Sequence, residues 1–102
     1  MRQFDLIDNP SERSRRHAPY FVVLQSHFLE TLDSVVVAPV VRDANRLLSV
    51  LDHSLEIGGE PLVLSVGELF SIERSLLQRA RGNLIAHEDA IRRALDRLFT
   101  GF

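Results

Sequence analysis

"VVVAPVV", residues 35–41, is the longest unbroken apolar run in the chain, and what it becomes decides the fold. A helix crossing a bilayer needs roughly 20 apolar residues, so this run is far too short to span a membrane. Apart from Ala38 and Pro39 every residue in it is valine. Such β-branched side chains are stiff and pack well on a pleated surface, which predicts a buried strand. Pro39 sets the condition: it has no N–H to give a ladder, so the strand is expected at a sheet edge or broken at the proline.

Working outward, the preceding "YFVVLQ" (Tyr20 to Gln25) is aromatic, β-branched and nearly all apolar, as a strand covered on both faces would be. A turn around Asp33 and Ser34 leads from it toward the valine run. In "RQFDLI" Phe4 and Leu6 alternate with Gln3 and Asp5, the period of a half-buried strand. "DNPSERSRRHAP" (Asp8 to Pro19) is a polar loop opened by an Asn-Pro turn signal. Downstream, "LEIGGEPLVLSV" is a hairpin, because Gly58 and Gly59 accept the positive φ of a two-residue turn.

Two stretches stay ambiguous. "RDANRLLSVLDH" (Arg42 to His53) is taken as a loop with a short helix. In "ELFSIERSLLQRARGN" the helical spacing of Leu69, Ile72, Leu76 and Leu77 competes with a strand. The close of the chain is clearer. Asn83 is the expected N-cap and Leu84 the first helical residue, with Ile91, Ala94, Leu95 and Leu98 on one face. Glu88 with Arg92 and Asp89 with Arg93 are spaced four apart for outer-face pairs. Roughly sixteen residues give a rod of about 24 Å, ended by Gly101. The final "LFTGF" carries Phe102 to the last position, where chain ends usually fray. Either that ring folds back on the core or something else covers it.

At 102 residues the chain is expected to be a single domain over 1–102. A hydrophobic share of 45% against 25% charged residues is globular rather than disordered. Association into a dimer would enlarge a modest core. The net charge of −2 argues against a main task of gripping nucleic-acid backbone and favours a protein partner. All 12 bases are arginine, which reads as compositional bias. With no cysteine there is neither disulfide framework nor thiolate metal site. No apolar leader opens the chain, so a cytoplasmic location without a membrane is the expectation.

Catalytic signatures fail one by one. "HEDAI" begins like a zinc-protease helix but has Ile91 where the second histidine belongs. His17, His27, His53 and His87 are scattered, there is no G-x-S-x-G elbow, and without lysine no phosphate-binding loop ending in Gly-Lys exists. Neither a catalytic residue, a metal site nor a cofactor is expected, and the chain reads as a binding protein. "RSRRH" (Arg13 to His17) is a positive patch: a solvated loop, or a dock for an acidic peptide and, less readily, nucleic acid.

Several pieces then fall in order along the chain: Gln3-Phe4, "YFVVLQS" followed by "LETL", "VVVAPV" with Pro39, "IGGE" (Ile57 to Glu60) and the terminal "EDAIRRALDRLFTGF". In this order and length the chain resembles the CcdB family, toxins of toxin-antitoxin modules that poison DNA gyrase without being enzymes. The resemblance implies an α+β, mainly β fold, SH3-like and CcdB-type. It would have an antiparallel five-stranded sheet, a small second sheet and a long C-terminal helix. It also implies a homodimer whose last residues meet the gyrase A subunit and trap its cleaved-DNA complex, with no direct contact to nucleic acid. By position Thr100, Gly101 and Phe102 would make the principal contact, with Phe28, Leu29, Asp96 and Phe99 beside them. The family pattern there is Trp-Gly-Ile, of which this chain keeps only the glycine. Losing an aromatic anchor typically costs about 2 kcal/mol, so weaker or host-tuned gyrase binding is the expectation. The resemblance further implies a cognate antitoxin with a disordered C-terminal tail, usually acidic, near Arg13, Arg15, Arg16 and His17. Related toxins on a similar fold are messenger-RNA endoribonucleases, which is the alternative. A non-toxic homologue that retains antitoxin binding is another.

Overall fold

The computed structural model describes residues 1–26, 29, 31–42 and 48–101. Among the described residues seven strands form one antiparallel network. They are β1 (Asp5–Asp8), β2 (Tyr20–Val23), β3 (Ser34–Val41), β4 (Asp52–Ile57), β5 (Glu60–Ser65), β6 (Phe70–Glu73) and β7 (Gly82–Asn83). The main path runs β4-β5-β3-β2-β1-β7, and β6 joins β3 as a branch. One helix, α1 (Glu88–Thr100), follows. This is the expected architecture, with β6 and β7 as short additions to a five-stranded path.

The valine run is the hub. Along one edge, Val37 to Val40 pair with β2. Along the other, Val40 and Val41 pair with β5 while Ser34 to Val37 pair with β6. Pro39 lies between these two partners. Leu24 N–H bonds to the Val36 carbonyl at 2.9 Å, and antiparallel pairs alternate, so Pro39 opposite Phe21 falls in a non-hydrogen-bonded pair. Its missing N–H therefore faces the gap where β6 has ended and β5 has not begun. The strand is central rather than at an edge, and the proline interrupts only the ladder that changes partner.

Both sheet faces are covered, which is why β2 and β3 do not alternate in polarity. Leu6, Val22, Leu24, Ala38 and Val40 face a cluster with Leu62, Leu64, Ile91 and Ala94, so α1 closes this side. Ile7, Phe21, Val23, Val35 and Val37 face the other, packed by Ile72 and Leu77. Phe70 of β6 sets its ring edge-on to Phe21, centroids 5.1 Å apart.

Residues 68–83 resolve in favour of strands: β6 and β7, separated by a short 3-10 turn at Arg74–Leu76. Helical spacing yields because β3 has a bare edge from Ser34 to Val37 that β6 satisfies. The hairpin forms as expected, with φ of 59° and 83° at Gly58 and Gly59. Between Arg42 and His53 the described part is a turn leading into β4, and residues 43–47 of the expected short helix lie outside the described residues.

The helix start is corrected. Asn83 belongs to β7, and its Oδ1 accepts at 2.8 Å the N–H of Ile85, the first residue of a 3-10 turn, Ile85–His87, whose N-cap is Leu84. The α-helix proper begins at Glu88 and has 13 residues, or about 20 Å. Asn83 is held in the sheet by its pairing with Asp5, so the chain there is extended and must tighten before it can coil. The inward face is as expected, with Ile91 and Ala94 buried. No helix among the described residues is long and apolar enough to cross a membrane.

Candidate functional site

Two surfaces hold the residues singled out in the sequence. The first is the end of α1. Ala94 is the last buried residue of the helix, and Asp96, Phe99, Thr100 and Gly101 are exposed. Phe99 is 69% exposed. The Thr100 hydroxyl donates to the Asp96 carbonyl at 2.5 Å, and Gly101, at φ 80°, gives its N–H to the Arg97 carbonyl at 3.1 Å. The last turn is thus finished by its own bonds and presents an apolar ring outward. Phe102 and Phe28 lie outside the described residues.

Leu29 is exposed as well, at 47%. Its carbonyl accepts from the Arg74 guanidinium at 3.5 Å, which also holds the Leu32 carbonyl at 3.0 Å. Arg74 N–H binds the Asp33 carbonyl, so one residue after β6 fastens the segment ahead of β3. Among the described residues no hydrogen bond, ion pair or ring contact joins Leu29 to the end of α1. These two candidates are exposed but held by different elements.

The second surface is the basic loop. It is ordered around Asn9, a buried amide. Its Nδ2 donates to the Ala18 carbonyl at 2.8 Å and to Ser14 Oγ at 2.9 Å, while its Oδ1 accepts the Ser11 N–H. Ser14–Arg16 form a 3-10 turn. Arg15 Nε reaches back to the Asn9 carbonyl at 2.9 Å. Directly after β3, Arg42 donates to the Arg15 and Arg16 carbonyls at 3.3 and 3.2 Å, and its N–H meets the His17 carbonyl at 2.8 Å. Arg42 also pairs with Glu60 at 2.5 Å, and that bond raises the guanidinium's pKa above its ordinary value. The pair is exposed and adds little stability by itself; its role is to bridge loop and hairpin.

Beside this clamp lies a cleft of about 340 Å³, lined by Arg15, Arg16, Arg42 and Arg81 together with Tyr20, Asp8 and Glu12. Arg81 pairs with Asp8 at 3.2 Å. The Arg16 guanidinium has no ion-pair or hydrogen-bond partner among the described residues. Of the expected patch, Arg15 and Arg16 line this cleft, while Arg13 lies with Arg16 and Glu12 in a neighbouring depression. His17 is exposed and contributes through its backbone. Sequence reasoning missed Arg42, Arg81 and Tyr20, which join the patch only through the folding of β3, β7 and β2. The one available signal was Arg42, a charge placed directly after the apolar run. Among the described residues no group of three or more His, Asp or Glu side chains is placed to hold a metal.

Comparison with known proteins places the whole chain in a family and a fold. The family model described as "CcdB protein" matches residues 3–101. A solved structure described as an Mtb toxin is similar over 92% of this chain and 99% of its own, with a TM-score of 0.73 and 22% identity. A second, the Mycobacterium tuberculosis toxin MazF-mt6, is similar over 96% of each chain, with a TM-score of 0.71 and 19% identity. At such identities these likenesses establish the fold alone. No curated protein sequence matches the chain.

Proposed function

The chain belongs to the CcdB family, and from that premise we propose that it is a gyrase poison, acting as a homodimer through the ends of its two α1 helices. The family makes it the toxin of a toxin-antitoxin pair, with an antitoxin as its partner. The observation that carries the finer reading is the helix end itself. Phe99, Thr100 and Gly101 follow the last buried residue of α1 and are turned to solvent. An exposed aromatic ring on a rigid, self-capped turn suits insertion into a protein pocket, because little conformational entropy is lost on binding. Asp96 on the same exposed side, and Leu29 from the Arg74-held segment, would flank the contact, with Phe28 and Phe102 completing it. Trapping gyrase on cleaved DNA requires only binding.

The basic loop is assigned to the antitoxin. Arg15 and Arg16, backed by Arg42 and Arg81, offer planar donors that match carboxylates. Arg13, in the neighbouring depression, extends the positive charge, and His17 supplies the backbone carbonyl that fastens the loop to Arg42. An acidic, disordered tail would gain charge-assisted bonds there as it orders.

The test uses purified protein with gyrase from its own host and supercoiled DNA. Double-strand breaks with gyrase covalently attached are the expected result, and their absence at high protein concentration would reject the reading. The cleft also favours a second reading, a ribonuclease, since arginines beside Tyr20 suit a phosphodiester and one fold neighbour is described as MazF-mt6. Fold likeness does not transfer activity. Cleavage of host messenger RNA with intact DNA would select that alternative. Normal growth with neither lesion, and antitoxin binding kept, would make the protein a non-toxic homologue.

A further inference from the structure

His53 is the second residue of β4, opposite Leu64 of β5. His87 is the last residue of the 3-10 turn that leads into α1. Their side chains meet: His53 Nε2 and His87 Nδ1 are 2.9 Å apart, with the rings edge-on at 5.0 Å between centroids. Both residues are half-buried.

A nitrogen-to-nitrogen bond needs one donor and one acceptor. One of the two facing nitrogens must therefore be bare. A neutral pair satisfies this, and so does a pair with one added proton on an outer nitrogen. With both imidazoles protonated, two donors and two positive charges would face each other across 2.9 Å. The surroundings add to that cost. Arg93 of α1 adds positive charge near His53. His87 sits at the start of α1, where the helix dipole is also positive. Two acids on the packed elements are engaged by other groups. Glu88 is held by Arg92 at 2.7 Å, and Asp52 accepts the Ser49 N–H at 2.9 Å. Asp89 of α1 and Glu68 of the 66–68 turn are the other acids on these elements.

We propose that the His53–His87 bond is an acid-sensitive latch that holds the start of α1 to β4 and opens when both imidazoles carry a proton. Burial, then His87, then Arg93 lower the His53 pKa, consistent with a closed pair that resists the second proton. The sign follows from linkage. Freed from the sheet, His53 returns toward the ordinary value of about 6.5. The open form then binds more protons than the closed one between the depressed pKa and that value. The latch is fully effective above about pH 6.5 and is lost as pH falls through the window below it. One extra proton favours opening by up to about tenfold per pH unit. The helix affected is the one whose far end carries Phe99 and Thr100. The inference rests on the contact between the histidines and the charges around them, and so stands whether or not gyrase is the target.

The test follows amide hydrogen exchange by NMR at pH 7.5 and 5.5, with intrinsic rates divided out, and titrates the imidazole resonances of the unmodified protein. Amides of α1 should lose protection several-fold more than those of β3 on acidification, and His53 should titrate below the ordinary histidine range. In His53→Asn/His87→Asn the difference between α1 and β3 should disappear. Equal loss of protection in α1 and β3 of the unmodified protein would overturn the latch. So would an ordinary titration of His53, a measurement that does not depend on any variant folding.

Discussion

The guanidinium carbon of Arg92 stands 5.6 Å from the centre of the Phe4 ring, while its Nε holds Glu88 at 2.7 Å. Phe4 is the one non-glycine residue with a positive φ among those described, at 70°, and it is 1% exposed. The strained backbone is fixed by a turn in which Asp5 N–H meets the Arg2 carbonyl and the Asp5 carboxylate takes the Arg2 N–H. Burial of the ring offsets a conformation that L-residues rarely adopt. Arg92 covers what is left of it and ties α1 to the entrance of β1.

A double-mutant cycle between Phe4→Leu and Arg92→Ala should therefore show coupling of about 0.5–1 kcal/mol in urea unfolding, in the range of a partly exposed cation over a ring. No coupling would mean that the two side chains are mere neighbours.

Asn9 carries the basic loop on three side-chain bonds from a buried position. Asn9→Ala leaves the buried Ala18 carbonyl without that donor and should cost about 2 kcal/mol. The loss of loop order should also weaken binding of an acidic peptide, with a smaller salt dependence than the parent's. Calorimetry at two ionic strengths reads both effects.

Gly101 needs φ of 80°, and a Cβ placed there meets nothing within 4 Å. Gly101→Ala is therefore penalised by backbone conformation alone, by about 1 kcal/mol at the helix end. Gly101→Asn should be milder, since asparagine tolerates the left-handed region. Circular dichroism melts of the two variants separate the outcomes.

On the gyrase reading, Phe99→Ala removes an exposed ring with little structural role. Stability should stay within about 0.5 kcal/mol of the parent. Trapping of cleaved DNA should fall by roughly 30-fold per copy, toward a thousandfold for the dimer, if Phe99 is an anchor worth about 2 kcal/mol. Thr100→Trp should move trapping the opposite way by restoring the aromatic residue of the family pattern. Unchanged trapping in both would place the contact elsewhere.

Much of the fold was legible because its signals are local. The valine run, the Gly58-Gly59 turn and the face of Ile91, Ala94 and Leu95 each depend on side-chain shape or period within a few residues. The helix end became a candidate through the family resemblance, because Phe99, Thr100 and Gly101 close the chain where the family pattern does. The cleft was not legible, because Arg42 and Arg81 reach Arg15 and Arg16 only after distant strands pair, and no spacing in the chain records that meeting.

By itself the sequence determined that residues 35–41 form a strand, since stiff branched side chains leave the backbone few alternatives. It also determined that a proline there must break some ladder. Which ladder breaks, and where α1 starts, were decided by tertiary structure. Pro39 is harmless because β5 and β6 share one edge of β3 and leave a gap at that residue. Asn83 ends a strand instead of capping a helix because pairing with Asp5 keeps it extended. In both cases a backbone hydrogen-bonding demand from a remote strand outweighs the local preference, for an unpaired buried N–H or carbonyl costs more than propensity can return.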